Sequence, residues 1–584
     1  MSSIDWVVLV ATLFVMIVYG VFKSRTTKSL DGYFLGDRQL PWYIILLSIM
    51  GTQASAITFL SAPGQAYTDG MRFVQYYFGL PLAMIVICIA FVPLFHRLRV
   101  YTAYEYLETR FDPKTRTLTS FLFLLQRGLS TGISIYAPAI ILSSLLGWNI
   151  YWTNVVMGGL LIIYTVSGGA KAVAYTQQLQ LIVIFASLAI TGYMVVHLLP
   201  ANVGLVQALH ISGRLGKLNA LTTGNGPKGF DWTDRYNIWS GLIGGFFLAL
   251  SYFGTDQSQV GRYLTAKSLR ESRLGLLMNG LVKIPMQFCI LLIGALVFVF
   301  YQFYPAPIFF NRVQTDHVRA SAYRAEGERL QARYDTLSMK EQLVVSAYAD
   351  AVQRQDTGVQ QRTGLMLQNL HRDGEDLRAS YKRLLDKPGL KGGDNNDTNY
   401  IFLRFVVDYL PVGLVGLLIA IIFLAAWGSI AAALNSLASA SVVDIHKKFI
   451  RRGGTDGEDY RLSRWYTFGW GIFCIITAQF ASHLGSLIEA VNVLGSLFYG
   501  TMLGIFLVAF YVRRVGGSVV FWSAVVVELG VIALFVFSSI GFLWLNAVGA
   551  IGVVLLSLVL SVWWPGADAD AAAAPRGDGA KRLS

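Results

Sequence analysis

The stretch SIMGTQASAITFLSAPGQAY, residues 48–67, is hydrophobic enough to cross a membrane yet rich in groups that interrupt a helix or bind polar atoms. These groups are Gly51, Thr52, Gln53, Ser55, Thr58, Ser61, Pro63 and Gly64. In hydrocarbon every backbone group must be satisfied internally, so a broken helix is tolerated only where it lines a protein-walled cavity. Because unwound carbonyls in such a cavity can bind a cation, the stretch predicts an ion or solute site at membrane depth.

A second interruption lies in GGFFLALSYFGTDQSQVGRYL, residues 244–264, where residues 254–257 (GTDQ) divide an apolar run. The two interrupted spans lie five spans apart, and each begins a unit of five helices. Because five is odd, the second unit has inverted topology relative to the first. Matched interruptions in inverted repeats indicate a transporter site near the bilayer midplane. Either interruption alone could instead reflect the general abundance of Gly and Pro in membrane helices.

A third polar surface occurs in LAAWGSIAAALNSLASASVVDIHKK, residues 424–448, where small hydroxyl-bearing residues are mixed with alanines. Small residues let membrane helices pack closely, and that role accounts for most of these positions. Ser429 lies deep enough in the span to offer a hydroxyl to an ion. Hard monovalent cations such as Na⁺ favour oxygen ligands of this kind, as other hard cations do.

The composition places all three segments in a membrane protein. The chain of 584 residues is 54% hydrophobic and 14% charged, whereas soluble domains average about 25% charged. Its formal net charge is +13, but the basic residues cluster in short loops between apolar runs. That distribution indicates a membrane topology rather than nucleic-acid binding. The first apolar run lacks a basic leader and a small-residue cleavage site, so we predict a transmembrane helix there rather than a signal peptide.

The predicted fold is an all-α integral membrane protein with about thirteen transmembrane helices and a 5+5 inverted-repeat core whose first and sixth core helices are broken. The predicted spans are 5–22, 41–62, 73–95, 117–146, 150–167, 178–199, 237–260, 275–303, 403–444, 462–483, 486–511, 518–539 and 541–563. Basic residues follow every odd-numbered span up to the eleventh, which predicts that these loops are cytoplasmic. The N-terminus is therefore expected outside, and the C-terminus inside, a bacterial inner membrane.

The predicted organisation follows these spans. It comprises an extra helix and cytoplasmic loop (1–40), the first repeat (41–199), an external connection (200–236), the start of the second repeat (237–303), an external charged insertion (304–400), the rest of the second repeat (401–515), two peripheral helices (516–564) and a disordered cytoplasmic tail (565–584). Apolar residues in the insertion recur at helical spacing and predict a helical hairpin. Its charge pattern favours a solvated decoration over a lid or a partner-binding element.

Several motifs, in this order and spacing, resemble those of the sodium:solute symporters, which carry sugars, proline, iodide, vitamins or sialic acid. The motifs are DGYFLGDRQLPWY (31–43), SAITFLSAPGQAYTDG (55–70), LQRGLSTGISIYAPAIIL around Arg127, SGGAKAVAYTQQLQ (167–180), TDQSQVGRYLTAKS (255–268), ALNSLASASVVDIHKK (433–448) and IEAVNVLGSLFYG (488–500). The resemblance covers roughly residues 5–515. It implies the inverted-repeat fold of sodium-coupled amino-acid transporters, with spans two to eleven as the ten-helix core.

The resemblance also implies a sodium site built from carbonyls at the first break and from ligands on the eighth core helix. The corresponding positions are Gly51, Ala54, Ala425, Gly428 and Ser429. Gly428 stands where the family has a hydroxyl, so one side-chain oxygen is lost and must be replaced by water or a shifted neighbour. Gln177 stands where the family tends to place an aspartate, which argues against a second sodium ion.

For the solute, the resemblance points to positions on the first, second and sixth core helices. The candidate solute-binding residues are Gln53, Ser55, Thr58, Tyr76, Tyr77, Ser251, Tyr252 and Gln257. Ala249 replaces a polar residue of the sugar carriers, which argues against an unmodified sugar site, and the motif at 55–70 is more similar to the iodide, vitamin and monocarboxylate branch. The candidate coupling or gating residues are Arg127, Gln177, Asp256 and Glu489.

The sequence thus predicts a secondary active transporter that uses a sodium gradient to import a small organic solute, such as a sugar or a carboxylate, by alternating access. Na⁺ is the expected cofactor, and the solute and the lipid bilayer are the expected partners. A proton-coupled or uncoupled transporter, and a channel or sensor on the same fold, remain alternatives. An enzyme is not expected, because the histidines are scattered and the sequence contains no nucleophile motif.

Overall fold

The computed structural model describes residues 1–23, 30–168, 170–226, 229–390, 395–451, 455–481 and 486–563. The predicted disordered tail, 565–584, lies outside the described residues. The helices up to the external connection are α1 (Ser3–Lys23), α2 (Leu30–Leu35), α3 (Trp42–Gln53), α4 (Ala56–Asp69), α5 (Leu80–Val86), α6 (Val92–Leu98), α7 (Glu105–Arg110), α8 (Pro113–Leu146), α9 (Ile150–Gly168), α10 (Ala170–His197) and α11 (Leu205–Arg214).

The remaining helices include two interrupted segments and the charged insertion. They are α12 (Gly245–Gly254), α13 (Gln257–Tyr263), α14 (Leu269–Phe303), α15 (Arg312–Arg319), α16 (Arg324–Gln353), α17 (Thr357–Leu385), α18 (Thr398–Tyr409), α19 (Leu414–Ala440), α20 (Asp456–Ala478), α21 (Leu487–Tyr511), α22 (Gly517–Phe537) and α23 (Phe542–Trp563). Short 3₁₀ or π segments are Gly36–Arg38, Gly70–Tyr77, Ile87–Phe91, Ser240–Gly244 and Ser441–Ile450.

Within the described part of the chain, eight helical stretches are long and apolar enough to cross a membrane, and four shorter apolar helices accompany them. One of the eight, Ala56–Leu98, joins parts of two predicted spans. The chain turns between those parts at Gly70, where φ is +75°, a conformation that glycine adopts without a Cβ penalty. The result is an all-helical membrane architecture, as the apolar runs predict.

Both predicted helix interruptions are present. Between α3 and α4 the backbone is extended at Ser55, with ψ 173°. Between α12 and α13 it is extended at Asp256, whose carboxylate accepts a hydrogen bond from Ser258 N at 2.7 Å and so caps α13. A side-chain oxygen at this position replaces a backbone partner that the break has removed. The interruptions are therefore defined structural features rather than weak points in continuous helices.

The predicted ninth span, 403–444, is wrong as a single helix, because the chain breaks between α18 and α19. Pro411 has no N–H to donate, and Gly413 has φ +91°. Asp5 Oδ1 accepts hydrogen bonds from Gly413 N at 2.6 Å and Gly416 N at 3.3 Å. The start of α1 thereby caps the start of α19.

The external connection, 200–236, adds a small strand pair to the all-α architecture. It contains α11 and two short antiparallel strands, β1 (Asn225–Gly226) and β2 (Gly229–Phe230), with Asn225 paired to Phe230. Gly224 and Gly229 flank or begin these strands with φ of +72° and +101°. Because glycine adopts positive φ readily, these two residues favour a tight reversal of the chain rather than a helix.

The charged insertion forms the predicted helical hairpin, with α16 and α17 packed against each other. It is docked on the membrane-embedded helices rather than free in solvent. Gln368 Nε2 donates to Arg214 O on α11 at 2.8 Å. The His371 ring packs edge-on against Phe298 of α14, with centroids 5.2 Å apart.

A buried ion pair joins the second helix of this insertion, α17, to the residue that precedes α18. Arg378 Nη2 donates to Asp397 Oδ2 at 2.7 Å, and Lys382 Nζ lies 3.2 Å from the other carboxylate oxygen. Burial opposes ionisation of Asp397, but the two cations hold its pKa below the usual range. The carboxylate is thus charged at neutral pH and links α17 to the start of α18.

Gly64 of α4 packs directly against the backbone of α18. A Cβ there would lie 1.9 Å from Thr398 O, so we expect Gly64→Ala to lower the melting temperature of the purified protein by several degrees. Overpacking typically costs about 1–3 kcal/mol, and a backbone atom cannot rotate away. The matched control is Gly159→Ala, where a Cβ meets nothing within 4 Å. Equal melting temperatures for the two variants would contradict this packing.

Candidate functional site

A cavity of about 100 Å³ lies between the two helix breaks. Its walls come from α3, α4, α8, α12, α21 and the Gly70–Tyr77 segment. The lining residues are Gln53, Ser55, Ile57, Thr58, Tyr76, Tyr77, Gln126, Arg127, Leu248, Tyr252, Ile488, Val491, Asn492, Gly495 and Tyr499. Six of the eight candidate solute-binding residues therefore share one cavity. Its mixture of aromatic, amide and hydroxyl groups suits a small ligand with polar substituents.

Arg127 carries a full positive charge into the cavity lining. Its Nη1 lies 3.8 Å from Asp256 Oδ2, and its guanidinium carbon lies 5.9 Å from the Tyr252 ring centroid. Its Nε has no hydrogen-bond partner among the residues that the structure describes. Tyr499 OH donates to the same Asp256 oxygen at 2.6 Å. Arg127 is thus held loosely by a shared carboxylate and retains donors for a ligand.

Ser251 and Gln257, the other two candidate solute-binding residues, lie outside the cavity lining. The Ser251 hydroxyl donates to Tyr499 O, which joins α12 to α21. Gln257 Oε1 accepts from Ala103 N at 3.0 Å, and its Nε2 donates to Tyr101 O at 2.7 Å. Because these backbone bonds occupy both side chains, we leave the two residues out of the proposed solute site.

Hydrogen bonds join α21 to the Gly70–Tyr77 segment and to the residues before α12. Tyr76 OH donates to Asn492 Oδ1 at 3.0 Å. One turn earlier on α21, Glu489 accepts hydrogen bonds from Arg235 Nη1 at 2.8 Å and from Tyr236 OH at 3.0 Å. The carboxylate of Glu489 raises the pKa of Arg235 above its ordinary value. Glu489 therefore ties α21 to the segment before α12, a suitable position for a gate.

The first half of the predicted sodium site lies at the end of α3. Ser55 N donates to Gln53 O at 3.1 Å instead of to the carbonyl of Gly51 four residues back. Ala54 follows the helix with φ −83° and ψ 76°. Both predicted carbonyl ligands, Gly51 and Ala54, thus lie where regular helical pairing of the carbonyls ends.

The second half lies in the middle of α19. The Ser429 hydroxyl is buried and donates to Ala425 O at 2.9 Å and to Ala426 O at 3.1 Å. The two predicted ligand oxygens of this half, on Ser429 and Ala425, are therefore adjacent. Gly428 lies beside them and presents its carbonyl rather than a hydroxyl.

The side-chain amide of Gln177 joins the two halves. Its Nε2 donates to Gly428 O on α19 at 3.0 Å and to Thr52 Oγ1 on α3 at 3.2 Å. Its Oε1 accepts from Ser48 Oγ at 2.8 Å. A Cβ at Gly51 would lie 2.9 Å from Gln177 Cβ. The neutral residue that replaces the expected aspartate thus positions α3, α10 and α19 relative to one another.

The sequence interpretation did not single out the lining residues Asn492 and Tyr499, nor Lys283 on α14, which lies behind the cavity residue Tyr77. Lys283 is fully buried, and its Nζ lies 5.7 Å from the centroid of the cavity residue Tyr77. It makes no hydrogen bond within the described ranges. An ionisable residue inside an apolar span is a functional candidate on that ground alone, so the sequence did contain a usable indication. Asn492 and Tyr499 carried no comparable indication.

Apolar helices that enclose one polar cavity between two broken helices define a membrane transporter for a small solute. The chain matches the sodium:solute symporter family over residues 33–322 and 382–527, and it belongs to that family. It is accordingly a multi-pass membrane protein that couples solute transport to sodium. The unmatched residues 323–381 comprise α16 and most of α17.

Similar proteins span nearly the whole chain. The sodium/sialic acid symporter SiaT of Proteus mirabilis is 24% identical over 567 residues, which cover 95% of this chain and 94% of that protein. The human sodium/iodide cotransporter is 31% identical over 278 residues, 47% of this chain and 41% of the cotransporter. A solved outward-open structure of a Na⁺-coupled sialic acid symporter has a TM-score of 0.72 at 23% identity, covering 96% and 98% of the two chains, and shares the fold.

Proposed function

We propose that this protein imports a small organic anion, with a carboxylate as the favoured class, together with Na⁺. The observation that carries this proposal is Arg127, a guanidinium in the cavity lining whose Nε is unpartnered in the described part of the chain. A buried guanidinium recognises a carboxylate through charge-assisted, often bidentate hydrogen bonds. Asp256 balances the charge of Arg127 when no solute is bound. When an anion binds, Arg127 exchanges part of its interaction with Asp256 for hydrogen bonds to the anion.

Two further observations support an anion. Lys283 places a buried amino group behind Tyr77, without an acidic partner in contact among the described residues. The relatives named above include carriers of sialic acid and of iodide, and both of these solutes are anions. Tyr76, Tyr77, Gln53 and Thr58 would contact the remainder of the solute. Amide and hydroxyl groups at these positions suit a substituted carboxylate better than a bare inorganic ion.

We also propose the thirteen-span, 5+5 inverted-repeat organisation. Support comes from the two broken helices, since the α3–α4 break lines the cavity with Gln53 and Ser55, and α12, which ends at the second break, lines it with Leu248 and Tyr252. Basic loops after the odd-numbered spans favour an external N-terminus and a cytoplasmic C-terminus. In the structure, Asp5 near the N-terminus lies against the start of α19, which the same scheme places outside. A bacterial relative supports a bacterial inner-membrane location.

In the proposed mechanism, Na⁺ links α3 to α19. The carbonyls of Gly51, Ala54 and Ala425 and the hydroxyl of Ser429 are the ligands. Gln177 hydrogen-bonds to both helices and so fixes their relative position. Because the carbonyls of α3 are placed next to the solute residues Gln53 and Ser55, ion binding orders the broken helix for the solute. Coupling then arises because Na⁺ binds one conformation more tightly than the other.

Uptake into proteoliposomes tests this function. We expect saturable, electrical-potential-sensitive uptake of a small carboxylate that falls at least about tenfold when Na⁺ is replaced by choline at fixed pH. Unchanged uptake in choline would favour a proton-coupled or uncoupled transporter. Binding without flux would indicate a sensor, and flux without saturation a channel. Uptake of neutral sugars in preference to carboxylates would contradict the role of Arg127.

A further inference from the structure

Gly428, the position that lacks the family's hydroxyl, packs against the side-chain amide of Gln180. A Cβ at residue 428 would lie 2.5 Å from Gln180 Oε1 and 3.2 Å from Gln177 Cγ. Gln180 lies on α10, three residues after Gln177, and is 4% exposed. The amide oxygen of Gln180 therefore lies beside the backbone of α19 at the proposed sodium site, where a Cβ at residue 428 would displace it.

The Gln180 amide oxygen lies where a side chain at residue 428 would begin. A Cβ at that residue would be 2.5 Å from Gln180 Oε1, and a serine hydroxyl would be attached to that Cβ. Both groups are neutral oxygen donors of the kind that hard cations accept. The exchange of a hydroxyl for glycine on α19 is thus matched by an amide oxygen from α10.

Gln177 cannot take over this role, because its amide is already used. Its oxygen accepts from Ser48, and its nitrogen donates to both Thr52 and Gly428. Gln180 lies three residues later on the same helix, where side chains share a face. The two glutamines therefore have different roles. Gln177 positions the helices, and Gln180 places an oxygen beside Gly428.

We propose that Gln180 Oε1 is a sodium ligand that replaces the missing hydroxyl at residue 428. Na⁺ is then held by five oxygens, from Gly51, Ala54, Ala425, Ser429 and Gln180. This inference rests on the proposed sodium-coupled function and adds α10 to the helices that the ion joins. The ion thereby connects α3, α10 and α19 directly, so that sodium occupancy reports on the packing of all three helices.

The test measures sodium affinity of the purified full-length protein from sodium-dependent thermal stabilisation and from ²²Na⁺ binding, with choline at constant ionic strength. Gln180→Ala should weaken sodium binding by at least about tenfold, or roughly 1.4 kcal/mol. Gly428→Ser alone should also weaken it, because the new side chain collides with Gln180. The double variant Gln180→Ala/Gly428→Ser should recover to within about threefold of wild type, because the hydroxyl returns to an emptied space.

Two further variants keep the test decisive. Gln180→Glu keeps an oxygen at the same position and should retain or increase sodium affinity, whereas Gln178→Ala alters a half-buried neighbour and should leave affinity unchanged. Wild-type affinity in Gln180→Ala, or a double variant no better than Gln180→Ala, would overturn the assignment while the sodium-coupled function stands. If wild type itself shows no sodium-dependent stabilisation and no ²²Na⁺ binding, the proposed coupling fails and this inference fails with it.

Discussion

Replacing Arg127 by methionine should reduce carboxylate uptake at saturating Na⁺ by at least about 100-fold in kcat/KM. Truncating one partner of a buried, hydrogen-bonded charge pair typically costs about 2–5 kcal/mol, and each 1.4 kcal/mol is about tenfold. Methionine retains much of the length of the side chain but removes every donor. Initial rates in proteoliposomes, at matched protein density, give the measurement. The kcat/KM of Arg127→Lys should lie between the values of wild type and Arg127→Met, because an ammonium keeps the charge without the bidentate geometry.

A second variant separates solute binding from folding. Methionine at position 127 leaves Asp256 buried with Tyr499 as its remaining side-chain donor, and an uncompensated buried charge is strongly destabilising. Arg127→Met/Asp256→Asn removes both charges, so its melting temperature should recover towards wild type. Its carboxylate uptake should stay low, because the anion partner is still missing. Recovery of uptake in the double variant would show that Arg127 serves only to neutralise Asp256.

Replacing Gln177 by leucine should raise the Na⁺ concentration for half-maximal uptake by at least about tenfold. Leucine cannot donate to Gly428 O or Thr52 Oγ1, and it cannot accept from Ser48. Three hydrogen bonds between α3, α10 and α19 are lost, and each is worth about 0.5–1.5 kcal/mol. The proposed ion bridges α3 and α19. In this variant the binding of Na⁺ must also restore the relative position of these two helices, which lowers the apparent affinity of the protein for Na⁺.

The control for this variant is Gln178→Leu, the same exchange at the next residue of α10. Gln178 is half-buried rather than buried, and its side chain faces away from that of Gln177 by about 100° on a helix. Its sodium dependence should match wild type. Equal sodium dependence in Gln177→Leu and wild type would remove Gln177 from the ion's surroundings and leave it a packing residue.

The membrane architecture and the positions of both helix breaks could be predicted because each depends on local composition. Apolar runs of about 20 residues indicate spanning helices, and the polar, glycine-containing segments at residues 51–55 and 254–257 indicate where two of them part. The ninth span shows the limit of this reasoning. Pro411 and Gly413 sit within a continuous apolar run, and hydropathy alone did not weigh their backbone restrictions.

The candidate solute-binding residues likewise include some that the sequence placed correctly and some that it did not. Gln53 could be proposed because it lies at a break, and Thr58 and Tyr252 because the family resemblance points to their positions; the structure brings all three to one cavity. Ser251 and Gln257 flank a break equally well, yet their side chains are bound to backbone on other helices. The difference depends on which face of a short helix meets which neighbour, and the sequence near a break does not contain that information.

The sequence by itself determined that this protein crosses a membrane many times and that two of its helices are broken. Both follow from residue types along the chain, whereas the proposed sodium site with its missing hydroxyl at Gly428 follows from the family resemblance. Only the tertiary structure decided that Arg127 shares Asp256 with Tyr499, and that Gln180 fills the space beside Gly428. These relations join residues more than 120 positions apart. They exist because helix packing, rather than any local pattern, brings those side chains to the same depth.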